Sequence, residues 1–330
     1  MHLDKVSLFE LGVNDLRQVQ DRSGHKLNNE LTAVIPVASN SIKVERLSKM
    51  LEDAHNNGII IVLIHDYSES KKTAIVEEIF KKYCGNKDTL ISGQFGSAAV
   101  ARNEGIKFCK TKWVCFWDSD DVVHAEKFNE LMLKANLENC DIGVGLISVQ
   151  AESGSTKIRT SDRLKKNRFF DLQIANFPAF TRMVFKLQKL KSNPFPAIKV
   201  GEDLVFLLNL EFSNSQIYLS NEVNYIYLVG TAQQTTQKYK GNQVITRALL
   251  ITLLDLFNKK DFTNKRMALG LLFKIGVRYL GSNVFNFNYQ DIRIMFKILI
   301  TNIMYFRYSI VAICYLISHR PNVLKVIHNA

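Results

Sequence analysis

Residues 113–121 read Trp113-Val114-Cys115-Phe116-Trp117-Asp118-Ser119-Asp120-Asp121. The first five are apolar without a break, the pattern of a strand buried on both faces. The run ends in three carboxylates. Negative side chains crowded at a strand end repel one another, and a cation among them relieves that repulsion. Oxygen-only ligands suit Mg2+ or Mn2+, and those ions in turn suit phosphates. A helix N-cap accounts for one aspartate in such a place but not for three.

The segments before this strand alternate in kind. Leu31 to Pro36 reads as a short buried strand. Val44, Leu47, Met50, Leu51 and Ala54 have helical spacing, and the helix stops at Gly58. Ile59 to Ile64 is a continuous aliphatic run, a second buried strand. A helix over 71–83, a strand near Thr89–Ser92 and a helix over Ala98–Cys109 complete the approach. Strand and helix in turn predict an α/β fold with a mainly parallel sheet flanked by helices. Ligands of such sheets lie beyond the carboxyl ends of the strands. Asp66 and the aspartates at 118, 120 and 121 both fall there.

Downstream, the pattern predicts a helix over 124–137, a strand over 141–149, a helix from near Glu202 and a last strand over Tyr225–Val229. The polar, basic stretch Glu152–Arg168 reads as a mobile loop. Beyond Lys238 the chain reads as helices, at 242–258, 263–280 and 290–318. The expected organisation is a polar lead-in at 1–30, an α/β domain at 31–237 and an all-helical C-terminal region at 238–330.

Charge follows the same division. The net charge of +12 is concentrated after residue 237, where 14 Lys and Arg face 3 acids, and the rest of the chain is nearly balanced. Such asymmetry suits a region that meets an anionic surface. Five cysteines form no CxxC pair, which argues against a disulfide framework or zinc site and for a reducing cytoplasm. The first 30 residues lack an apolar signal core.

Three further motifs carry chemistry. Asp66, in Ile64-His65-Asp66-Tyr67-Ser68, can accept a hydrogen bond from the imide N–H of a base, although taken by itself the residue is better explained by an Asx-turn. Gly96-Ser-Ala-Ala-Val-Ala-Arg102-Asn103-Glu104-Gly105 has small residues that let a helix start press against a nucleotide, with Arg102 able to reach base or phosphate. Gly201-Glu202-Asp203 offers an acid that can take a proton from an acceptor hydroxyl, although acids also favour a first helical turn.

In this order, the motifs resemble the family-2 glycosyltransferases, inverting enzymes of the GT-A fold. The resemblance rests on Val34-Ile35-Pro36, His65-Asp66-Tyr67-Ser68, Ala101-Arg102-Asn103-Glu104-Gly105, Asp118-Ser119-Asp120-Asp121 and Gly201-Glu202-Asp203, and spans about residues 31–230. It implies a nucleotide-sugar donor, most simply a UDP-sugar, with Mn2+ or Mg2+ as cofactor. It implies that Asp66 binds the base, that Pro36, Val37 and Ala38 line the base pocket, and that Arg102 contacts the nucleotide. Asp120 would sit near ribose and metal, with Asp121 as the firmest metal ligand and Asp118 beside it. Asp203 would be the general base and Glu202 its support. The acceptor would be a glycan or a lipid-linked oligosaccharide for lipopolysaccharide, capsule or teichoic acid, handled at the cytoplasmic face of the membrane. Two departures bear on base stacking: Ala38 and Ser39 follow the Ile-Pro step, and His65 replaces the first acid of the usual pair.

Two other classes compete. A sugar nucleotidyltransferase needs a Gly-rich phosphate loop after the first strand, which Pro36 to Ser41 does not supply. A non-catalytic nucleotide-sugar or nucleic-acid binder can use the basic tail. No nucleic-acid motif is present, so that partner is not expected. In the tail, residues 298–317 form the longest apolar stretch, broken by Asn302 and Arg307. An arginine at the bilayer centre costs about 2.5–3.5 kcal/mol, which disfavours spanning. Basic and aromatic residues intermix there, as in helices that lie on an anionic leaflet. A packed helical subdomain and homo-oligomer contacts are the alternatives.

Overall fold

The computed structural model describes residues 7–9, 30–68, 73–151, 159–160, 165, 173–174, 179–198, 201–210, 215–230, 243–258, 265–282 and 289–318. One sheet organises them. Its strands are β1 (Ser7–Phe9), β2 (Leu31–Ala38), β3 (Ile60–Asp66), β4 (Thr89–Gly93), β5 (Trp113–Phe116), β6 (Val122–Val123), β7 (Ile142–Ala151), β8 (Arg159–Thr160), β9 (Met183–Lys186) and β10 (Ile217–Val229). They run in the order β1-β4-β3-β2-β5-β9-β7-β10-β6, with β8 paired to β7.

The block β4-β3-β2-β5 is parallel throughout, as expected. The strand β9 was not expected. It lies antiparallel between β5 and β7 and turns the sheet into a mixed one. Its four residues, Met-Val-Phe-Lys, are too short a run to announce a strand without their two neighbours. The last strand is also longer than its apolar tail: it runs Ile217–Val229 and pairs along β7 from Ile217 to Leu219, at Val223 and from Tyr225 to Val229, with register shifts between Leu219 and Tyr225.

The helices are α1 (Val44–Asn56), α2 (Ala74–Tyr83), α3 (Ala98–Phe108), α4 (Ala125–Leu137), α5 (Leu187–Ser192), α6 (Glu202–Asn209), α7 (Gln243–Asn258), α8 (Lys265–Ser282), α9 (Tyr289–Met304) and α10 (Phe306–Ser318). The single helix expected at 290–318 is two, broken at Tyr305 with neither Gly nor Pro to mark the place. Most of the expected mobile loop at 152–168, and all but Ser7–Phe9 and Glu30 of the lead-in, lie outside the described residues. Among the described residues no helix is long and apolar enough to cross a membrane.

Strand periodicity divides the core into two layers. Trp113, Cys115 and Trp117 face one side with Leu47, Leu51, Phe80 and Phe128, so α1, α2 and α4 cover that face. Val114 and Phe116 face the other, with Ile106, Phe206, Leu250, Leu269 and Ile298, so α3, α6 and the C-terminal helices α7–α9 cover it. The helical region after residue 238 therefore shares its core with the sheet.

The helix α3 approaches the sheet more closely than a side chain would allow. A β-carbon on Gly105 would stand 2.5 Å from Val34 Cγ1 and 3.3 Å from two side-chain carbons of Ile64, all within the core. Replacing Gly105 by Ala is expected to destabilise the fold by about 1–3 kcal/mol through overpacking. A lower urea midpoint at unchanged slope is the measurement that shows it.

Candidate active site

The strand β5 delivers Asp118, Asp120 and Asp121 at its carboxyl end, and β10 pins the turn they make. The Tyr225 hydroxyl accepts a hydrogen bond from the Asp118 backbone N–H at 3.3 Å and donates one to Asp121 Oδ2 at 2.6 Å. The Leu228 backbone N–H donates to Asp121 Oδ1 at 2.8 Å. Asp121 is thus buried and held by both oxygens. Burial, then Asp120 and Asp118, raise its pKa well above the usual carboxylate range, against the pull of Tyr225 and Leu228. Asp120 is raised too, by burial and by Asp118, with its own backbone N–H, Arg46 and Lys43 opposing. Arg46 on α1 donates to the Asp120 carbonyl at 2.5 Å, which fixes the backbone of the turn.

Arg102 joins this turn to a segment 100 residues away in sequence. Its Nη2 donates to Asp118 Oδ1 at 2.5 Å and its Nη1 to Glu202 Oε1 at 3.3 Å. The guanidinium is 4% exposed. It lies over the rings of Phe180 and Phe195, 4.8 and 5.5 Å from their centroids. Burial acts to lower its pKa, but Asp118 and Glu202 outweigh that and raise it. Asn103, the next residue, exchanges two 2.8 Å hydrogen bonds with the backbone of Phe195 and so fixes that ring. The Arg-Asn pair therefore works as a unit: one residue bridges the acids and the other places the aromatic wall beside it.

Glu202 and Asp203 open α6. Gly201 before them has φ +81°, a left-handed conformation that glycine adopts without cost. A β-carbon there would also meet Leu249 of α7 at 2.7 Å. Burial raises the Glu202 pKa, with Arg102 opposing. Asp203 is half-buried; burial and then Glu202 push its carboxyl up to about 7, while the Leu204 N–H, bonded to Oδ1 at 2.8 Å, and Arg102 pull it down. Phe206, one turn on, stacks on Phe195 with centroids 3.9 Å apart, which ties the helix to the wall around Arg102.

Asp66 stands at the end of β3, two strands from β5. Its Oδ1 accepts from the Ser68 N–H at 2.9 Å and the Phe95 N–H at 3.1 Å. The first of these is the Asx-turn that its position suggested, and the second draws in the loop before α3. Pro36, Val37 and Ala38 pair with Ile64, His65 and Asp66. The ring of His65 is buried, with Nε2 2.6 Å from the Ser39 hydroxyl, so the two departures from the family pattern meet in one contact.

The fold thus joins Asp118, Asp120, Asp121, Arg102, Glu202 and Asp203 in one network, and sets Asp66 and Pro36–Ala38 on adjacent strands. Among the described residues no three His, Cys, Asp or Glu are grouped as a metal cage. Mg2+ and Mn2+ do not need one, because they keep several waters and take substrate phosphates as ligands. Asp120 with Asp118 fits that requirement; burial raises the Asp120 pKa most, and the neighbouring Asp118 charge, which a cation would offset, adds to it. Sequence reasoning did not single out Tyr225, Arg46, Phe180, Phe195 or Asn103's partner. Tyr225 was legible only as a strand residue, and its hydroxyl meets Asp121 because β10 folds back beside the turn.

Residues 32–193 match the family model described as glycosyl transferase family 2. TarP, the poly(ribitol-phosphate) beta-N-acetylglucosaminyltransferase of Staphylococcus aureus, is 23% identical over 229 residues, 65% of this chain and 68% of TarP. The poly(ribitol-phosphate) beta-glucosyltransferase of Bacillus spizizenii is 26% identical over 208 residues, 61% of this chain and 32% of that protein. Among solved structures, S. aureus TarS in complex with UDP-GlcNAc aligns with a TM-score of 0.57 at 16% identity, covering 81% of this chain and 78% of that one. At that identity the likeness speaks to the fold, which is GT-A. The family match and the fold agree: the chain carries a glycosyl transferase family 2 domain at residues 32–193.

Proposed function

We propose that the protein moves a hexose or N-acetylhexosamine from a UDP-sugar to a hydroxyl of a cell-surface glycopolymer, with inversion at the anomeric carbon and with Mn2+ or Mg2+ bound. The observation that carries this reading is the Arg102 bridge, which brings Glu202 and Asp203 to the aspartate turn. The relatives named for poly(ribitol-phosphate) glycosylation support a teichoic-acid-type acceptor over lipopolysaccharide or capsule.

Asp203 Oδ2 accepts the proton of the acceptor hydroxyl while that oxygen attacks the anomeric carbon. The new carbon–oxygen bond forms as the bond to the diphosphate breaks on the opposite face, so one displacement inverts the centre. Burial first, and then the negative charge of Glu202 held beside it by Arg102, keep the basicity of Asp203 near neutrality. A carboxylate with a pKa near the working pH is well matched to general-base catalysis. Asp120 and Asp118 would hold the divalent ion, whose chemistry is to neutralise charge on the departing diphosphate. Asp121 keeps the turn in shape through Tyr225 and Leu228 and would add a further carboxylate ligand for that ion. Asp66 Oδ2 accepts from the uracil imide, with Pro36, Val37 and Ala38 beneath the ring. Arg102 meets the nucleotide through the carboxylates it orders.

A transfer assay paired with a donor-binding measurement separates these roles. With UDP-GlcNAc or UDP-glucose and a poly(ribitol-phosphate) acceptor, Asp203→Asn is expected to lower UDP release by about 10²–10⁴-fold. The same variant should keep the thermal shift that UDP gives with Mn2+; undiminished transfer would refute the base. Because Asp203 must be ionised to accept a proton and its pKa is about 7, kcat/KM should rise with pH and level off above that value. A flat profile from pH 5 to 8 would point to another base. Chelation by EDTA should abolish both transfer and the UDP thermal shift, and Mn2+ should restore them.

A further inference from the structure

The helix α9 is apolar on both sides. Ile294 and Ile298 are buried in the core shared with the sheet. On the opposite side, Phe296 is 61% exposed, Leu299 56%, Ile300 40%, Ile303 61% and Met304 72%. Positions 296, 299, 300 and 303 are spaced i, i+3, i+4, i+7, so they form one continuous stripe along the helix. Ile310 on α10 is also exposed. Arg293 and Lys297, both exposed, flank the stripe on one edge. Scattered exposed apolar residues are ordinary, but a stripe of this kind marks a contact surface.

We infer that this stripe docks α9 flat on an anionic lipid surface. Charge decides the occupant. The chain from residue 238 onward carries 14 Lys and Arg against 3 acids, which draws it to a negative leaflet. A second copy of the chain would meet the stripe with its own Arg293 and Lys297, because a two-fold contact places the same patch on both sides. The geometry also favours lying over crossing: the helix spans 16 residues, and a bilayer core requires about 20. Phe, Leu and Ile side chains reach the acyl boundary while Arg293 and Lys297 stay at the headgroups, the arrangement of interfacial helices. Docking would hold the active site beside a surface at which lipid-linked polymers are built, and this consequence alone rests on the proposed function.

The full chain is sedimented with vesicles of phosphatidylcholine alone and of phosphatidylglycerol mixed with phosphatidylcholine. Binding is expected to the mixed vesicles only, and it should fall with added salt. Ile303→Glu should weaken it by about tenfold or more, since one apolar side chain leaves the interface and a charge enters it. Because Ile303 is exposed, the substitution opens no cavity. The pair Arg293→Glu and Lys297→Glu should weaken binding as well while leaving the apolar stripe intact. Vesicle binding is read without nucleotide sugar, so its failure is distinct from a failure of sugar transfer. Equal binding to both vesicles, no binding to either, or a dimer in solution that Ile303→Glu dissolves would overturn the inference.

Discussion

The site depends on one buried cation. Arg102 holds Asp118 and Glu202 from opposite sides, and neither acid is near the other in sequence. Burying a guanidinium is costly unless its donors find charged partners, and removing one partner of such a pair costs about 3–5 kcal/mol. Here the two partners are the turn after β5 and the start of α6. The ion-pair geometry therefore sets the separation between the acids at the aspartate turn and Asp203. The planar fork matters, because it reaches both carboxylates at once, as a lysine would not.

The surroundings keep that cation in place without competing for it. Phe180 and Phe195 offer ring faces, which attract a cation but accept no proton. Phe195 is fixed by Asn103 and stacks on Phe206, and Phe116 of β5 packs edge-on against Phe195 and Phe206. The aspartate strand, the Arg-Asn helix and the acid-bearing helix are thus three walls of one aromatic cluster. The helix α7 extends it, since Leu249 fills the space that a side chain at residue 201 would need. The C-terminal helices thereby buttress the start of α6 on one side and present the α9 stripe on the other.

Much of this was legible in residues 31–122. Continuous aliphatic runs gave the parallel strands, helical spacing gave α1 and α3, and the acids fell at strand ends because period and length located those ends. Legibility failed where the decisive partner was remote. The strand β9 is defined by hydrogen bonds to β5 and β7 more than by its own four residues. The resemblance makes Asp121 the firmest metal ligand, yet Tyr225 and Leu228 bind both of its oxygens, which the sequence does not show. Arg102 reads as a residue for a nucleotide, yet its donors are directed at protein carboxylates.

The alternation of strands and helices from β2 to α4, the identity of the acids and the basic excess of the tail follow from the chain alone, because they rest on local period and on composition. Which acids share a cation, which one carries a pKa near 7 and which face of α9 stays open were decided only on folding. Those properties depend on desolvation and on contacts between segments a hundred residues apart, and no local pattern encodes either.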